Sequence, residues 1–156
     1  MNNLELAKSI KRSLASFSWI DASKITNFEQ EPESQEYSAC KFEYEQKKIF
    51  FRKAKITPTK DGAFVTFWKR ASISKKIEPM HQNDYFDELW IIVEENKKQG
   101  LIVLSKQTLQ DQKILHTPAQ QGKLAFRVYP PWATNLNTQA SKTQSWQIKC
   151  FFTEDD

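Results

Sequence analysis

The sequence predicts one α+β (mixed α/β) domain, a central mixed β-sheet flanked by helices. Three observations point to it. Apolar residues recur every three or four positions near the start, then at every second position from Tyr37 onward. Two near-continuous apolar runs, LWIIV (89–93) and LIVL (101–104), have the polar stretch ENKKQG between them. Beyond Pro130-Pro131 the chain turns helical again. The 156 residues suffice for one sizeable core. They show no repeat, linker or composition break, so residues 1–156 are expected to form a single domain.

Residues 3–17 place Leu4, Ala7, Ile10, Leu14 and Phe17 on one helical face, with Asn2 or Asn3 as cap and Glu5 in the first turn. Residues 21–36 are polar, contain Pro32 and read as a connection. Cys40, Phe42 and Tyr44 alternate with Lys41, Glu43 and Glu45, as in a half-buried strand. Residues 48–56 and 63–70 read as two further strands joined through Pro58 and an Asp61-Gly62 turn. Residues 71–83 read as irregular. Residues 87–94 and 100–104 read as strands buried on both faces. A short helix is expected over 105–112 and a last central strand over 123–129, stopped by the two prolines. A helix capped by Asn137 or Thr138 is expected over 137–147, and 148–152 fits helix or strand.

The net charge of +4 is unevenly distributed. Residues 41–76 hold eleven basic and three acidic groups, and residues 97–149 hold eight basic and one acidic. Residues 78–95 hold six acids and no Lys or Arg. Two basic blocks flanking an acidic one are the footprint of a polyanionic partner, although solvated lysines on an open sheet give the same pattern. Only three glycines are present and no glycine-rich phosphate loop occurs. Cys40 and Cys150 lie far apart without metal-ligand spacing, and the N-terminus lacks an apolar signal region, so a reduced cytoplasmic protein is expected. The apolar runs fall short of the roughly 20 residues that a membrane span needs.

The stretch AKITPTKDGAFVTFWKR (54–70) alternates cations with rings. Lys55, Lys60, Lys69 and Arg70, with Arg52 just before them, form one expected wall of a phosphate-gripping groove. The stretch FRVYPPWATNLNTQASKTQSWQ (126–147) supplies the other: Arg127, Tyr129 and Trp132, then Lys142 and Gln144 on the helix. Cations neutralise phosphates, and rings stack on unpaired bases for about 1–3 kcal/mol each. A packed Pro-Pro-Trp corner and buried hairpin rings are the structural alternatives. Asp84, Asp87 and Glu88 cluster without calcium-loop spacing, and His81 and His116 lack a nucleophile in sequence, so no metal site or triad is predicted.

Three stretches together resemble the MepB family, small bacterial proteins often encoded beside multidrug-efflux genes. They are FFRKAKITPTKDGAFVTFWKR (50–70), DYFDELWIIV (84–93), and GKLAFRVYPPW with QASKTQSWQ (122–132, 139–147). The resemblance implies a restriction-endonuclease-like, PD-(D/E)xK-like core and interaction with nucleic acid, single-stranded RNA or DNA foremost, in a stress or drug-resistance response. In such nucleases an Asp and a (D/E)xK motif hold Mg²⁺ and position the attacking water. Asp87 would match the first acid and Lys106 the lysine, but Leu104 stands where the second acid belongs. The resemblance therefore implies a non-catalytic binding protein without cofactor. A Mg²⁺-dependent nuclease with a rearranged site, using Asp87, Lys106 and Glu36 or Glu88, is the alternative, as is a regulator that binds a protein partner through the basic hairpin.

Overall fold

The computed structural model describes residues 1–154. In chain order its elements are α1 (Asn3–Leu14), β1 (Thr26–Gln30), β2 (Cys40–Tyr44), β3 (Lys47–Lys53), β4 (Lys55–Ile56), β5 (Ala63–Thr66), β6 (Trp68–Arg70), β7 (Ile77–Pro79), β8 (Glu88–Glu95), β9 (Lys98–Ser105), α2 (Lys106–Asp111), β10 (Ala125–Val128), α3 (Thr138–Gln147) and β11 (Phe151–Thr153). The main sheet has the order β1-β2-β3-β8-β9-β11, and a smaller one has the order β10-β5-β4. The main sheet is mixed, because β3 and β8 run parallel while its other neighbours are antiparallel.

Side-chain alternation builds one core on each face of the main sheet. On β8, Trp90 and Ile92 join Leu6, Ile10 and Leu14 of α1. Leu89, Ile91 and Val93 point to the opposite layer, where they meet Val65, Val128 and Leu109. The same parity on β3 sends Ile49 and Phe51 toward α1, and Phe50 and Arg52 to the other side.

The α+β architecture is as the sequence predicts, and several elements differ. Residues 26–30, expected within a connection, form the edge strand β1. Its TNFEQ has little alternation, and its pairing with β2 shifts register between Thr26 and Glu29. The expected 48–56 strand divides at Ala54, whose N–H bonds the Ile92 carbonyl. The expected 63–70 strand divides at buried Phe67, whose N–H bonds the Leu124 carbonyl. Beyond that break β6 pairs with β7, inside the stretch expected to be irregular. The expected last central strand is not central: β10 pairs with β5 in the small sheet. Residues 151–153 close the edge of the main sheet against β9.

Candidate nucleic-acid interface

The first basic block is mostly neutralised by its own fold. Lys55 meets Glu36 at 3.2 Å, Lys69 meets Asp84 at 2.6 Å and Arg70 meets Glu33 at 2.6 Å. Lys41, Lys47 and Lys53 pair with Glu29, Glu88 and Glu94. Arg52 corrects a sequence expectation, because it is not a surface contact. Its side chain is 1% exposed and forks onto Glu31. Its Nε donates to the Thr66 carbonyl at 3.1 Å and Nη1 to the Phe51 carbonyl at 2.9 Å. The register of central strand β3 turns it inward, where no phosphate reaches it. Burial pushes the Glu31 carboxyl above its ordinary range, outweighing the attraction of Arg52.

The second basic block is different. Among the described residues, none of its cations has a carboxylate within ion-pair distance. Lys123 and Arg127 from this block meet Lys60 of the β4–β5 loop along two adjoining clefts of about 330 and 560 Å³. The clefts share Arg127, Tyr129, Asn137 and Ala140. Antiparallel pairing of β10 with β5 sets Arg127 opposite Phe64, and its guanidinium lies 5.4 Å from that ring centre. Arg127 also donates to Thr57 Oγ1 at 2.8 Å and the Asp61 carbonyl at 3.3 Å, so the loop holds it in place. Tyr129 lies against Gly62, whose φ is +78° and whose missing Cβ would stand 2.6 Å from the ring.

Helix α3 forms the far wall. Asn137 caps it by accepting from the Ala140 N–H at 2.8 Å. Fully buried Gln147 fastens it to the strand: its Nε2 donates to the Arg127 carbonyl, and its Oε1 accepts from the Tyr129 N–H. Gln139 and Trp146 line the cleft, and their i, i+3 and i, i+4 spacing from Lys142 puts that exposed lysine on the flank. From the sequence Asn137 is expected only as a helix cap, and Lys123 and Gln147 are not picked as site residues. Lys123 opens the expected 123–129 strand with no ring or second cation beside it, and a glutamine that must point inward has no sequence signature.

Two nominated residues serve the scaffold. Gln144 Nε2 donates to the Pro130 and Ala133 carbonyls at 2.9 and 3.0 Å, which fixes the proline corner. Trp132 packs on Gly100 and donates to Glu95 Oε1 at 2.9 Å, the packed alternative for that ring.

Of the residues of the nuclease alternative, Asp87 and Lys106 lie side by side and Glu36 is engaged elsewhere, by Lys55. The Lys106 N–H donates to the Asp87 carbonyl at 3.0 Å. The Asp87 carboxylate accepts the Lys48 N–H at 2.7 Å. Lys106 Nζ donates to the Asp84 carbonyl and stands 5.0 Å from the Phe86 ring centre. Leu104 is fully buried in the core, Glu36 pairs with Lys55, and Glu88 holds Lys47 and the Trp90 indole. Among the described residues, no three His, Cys, Asp or Glu side chains are grouped to hold a metal ion. These residues do not fit Mg²⁺.

Comparison with known proteins gives a family and a structural relative. The MepB-like family model matches residues 31–153. A solved structure titled "Crystal Structure of MepB" is 33% identical, with a TM-score of 0.84 over 96% of this chain and 97% of the other. No curated protein matches. No helix among the described residues is long and apolar enough to cross a membrane.

Proposed function

The chain belongs to the MepB-like family, and we propose that it is a non-catalytic nucleic-acid-binding protein that prefers unpaired strands. One observation carries the reading: Lys60 and Lys123 line two adjoining clefts that share Arg127 and the Tyr129 ring, and none of the three cations is paired with a described carboxylate. A phosphate reaching Arg70 must displace Glu33, whereas one reaching Lys60 displaces only water and counterions. Half-buried rings and amide side chains on α3 suit bases that are free to turn out of a stack. The Lys69/Arg70 wall expected from the sequence is secondary, because its cations are already engaged.

The scaffold is read as a PD-(D/E)xK-like core whose second acid has become Leu104. The adjacency of Asp87 and Lys106 supports this. Two free thiols suit a cytoplasmic protein. The family's genetic neighbourhood extends the proposal to a stress or drug-resistance response.

The test is fluorescence anisotropy with labelled single-stranded RNA, single-stranded DNA and duplex DNA at 50 and 200 mM salt. Phosphate contacts from Lys60, Lys123, Arg127 and the flanking Lys142, at roughly 0.7 each, give a log–log slope near −3, or about a 50-fold loss over that range. Lys60→Glu with Lys123→Glu is expected to abolish most binding, and Mg²⁺ is expected to leave the strands uncut. Unchanged affinity in the double variant would overturn the cleft assignment. Strand cleavage would revive the nuclease.

A further inference from the structure

Three cations of the first basic wall, Arg52, Lys55 and Arg70, together with Lys41, are met by one short segment. Glu29 pairs with Lys41, Glu31 with Arg52, Glu33 with Arg70 and Glu36 with Lys55. Four acids within eight residues each take a different cation. Through Glu31 the segment is extended, since the Glu31 N–H bonds the Ala39 carbonyl and continues the β1–β2 ladder. Glu29 and Glu31, on alternate residues of this extended stretch, stand roughly 6.6 Å apart, comparable to the step between neighbouring phosphates of an extended single strand, while Glu33 follows in a bend and Glu36 in a short 3-10 turn.

The surface beside this segment carries the elements of a nucleic-acid face. The segment forms one wall of a trough of about 550 Å³, to which it gives Glu29, Glu31 and Glu33. Lys41, Lys69 and Arg70 line the rest, with Asp84 and the rings of Trp68 and Tyr85. Arg70 stacks 5.6 Å from the Trp68 ring centre, and Lys55 lies 5.4 Å from that of Tyr37. Tyr85 is 80% exposed, with Lys48 Nζ 4.1 Å from its ring centre. Only the Glu31–Arg52 pair is buried. The other three pairs leave both partners more than a third exposed, and such open pairs are weak and salt-sensitive.

We infer that residues 29–36 are a built-in polyanion mimic, an acidic strap that masks a second nucleic-acid-binding face and yields it to a competing single strand. The strap stays anchored through Glu31 while Glu29, Glu33 and Glu36 exchange their cations for phosphates. The inference rests on the nucleic-acid reading above; the masked face centres on the Lys41–Arg70 trough and adjoins the Arg127 cleft at Lys55, which flanks Phe64 on the side opposite Arg127.

The test compares the full chain with a Glu29→Gln/Glu33→Gln/Glu36→Gln variant, which retains Glu31 and so the buried pair. A control variant, Glu5→Gln/Glu45→Gln/Asp111→Asn, changes net charge equally at exposed sites elsewhere. Labelled single-stranded RNA is titrated by anisotropy from 50 to 200 mM salt. Three freed cations at roughly 0.7 each are expected to steepen the log–log slope by about 2 and to tighten binding about tenfold at 50 mM salt. The control is expected to stay within about twofold of the parent chain, the scale of a non-local charge effect. Placed on the Lys60→Glu/Lys123→Glu background, the strap substitutions are expected to restore binding. A strap variant that matches the control in slope and affinity overturns the strap. Loss of binding in parent and strap variant alike overturns the nucleic-acid reading itself.

Discussion

Arg52→Met separates a structural cation from a binding one. The substitution keeps most of the side-chain volume, so the cavity contribution is small. It strips the donors from the Thr66 and Phe51 carbonyls and leaves Glu31 without its fork. Removing one partner of a buried pair costs about 3–5 kcal/mol. Glu31 keeps 17% of its side-chain exposure, which places the cost near the lower end. For a chain of this size that corresponds to a fall in Tm of about 10 °C. The pH dependence sharpens the expectation. Burial already raises the Glu31 carboxyl, so the folded state holds its proton longer than the unfolded chain does. Stability linked to that proton is complete below the ordinary carboxyl range and is lost as pH rises through the raised value. Arg52 supplies the attraction and hydrogen bond that limit the rise. Without it the window extends upward, and the penalty should be smaller at pH 4 than at pH 8. Calorimetry at both pH values measures this, and anisotropy on the folded variant should show no more than about a twofold loss of RNA affinity relative to the parent. A pH-independent penalty below about 1 kcal/mol, or a tenfold loss of RNA affinity in folded protein, would refute the placement of Arg52.

Gly62→Ala forces a Cβ toward Tyr129 at 2.6 Å and a side chain onto φ +78°. A stability loss of about 1–3 kcal/mol by denaturant titration is expected, with weaker single-strand binding as the ring is displaced. Leu104→Glu puts a carboxylate two residues before Lys106, the spacing of the proposed nuclease-like motif, but at a fully buried core position. It should lower stability by more than about 3 kcal/mol and confer no Mg²⁺-dependent thermal shift or cleavage.

The elements legible in the sequence are those whose pattern is local. Helix α1 is visible because Ile10 and Leu14 repeat at helical spacing over a long segment. The β8–β9 hairpin is visible because both strands are apolar on both faces and share one polar turn. What the sequence hides is decided by distant partners. TNFEQ is a strand only because β2 offers an edge, and its Phe28 stacks on Phe42. The break at Phe67 has no Gly or Pro to mark it. It arises because β10 draws Ala63–Thr66 into one sheet while β7 draws Trp68–Arg70 into another.

The candidate site teaches the same lesson through charge. Summed along the chain, residues 41–76 look like the dominant polyanion surface. Folding changes that ranking. Antiparallel β1–β2–β3 brings Glu29 and Glu31 beside this block, and parallel β3–β8 brings Glu88 and Glu94. Lys41, Lys47, Arg52 and Lys53 are neutralised across those neighbouring strands. The acidic strand β8 also lies beside β9, with Glu95 opposite Lys98, yet among the described residues no cation of the 97–149 block comes within ion-pair distance of a carboxylate. Affinity for a polyanion follows free charge rather than total charge, because a paired cation must give up one partner before it takes another. The quieter basic block is thus the open one, and the louder block becomes a surface whose strength depends on whether its acidic strap is in place.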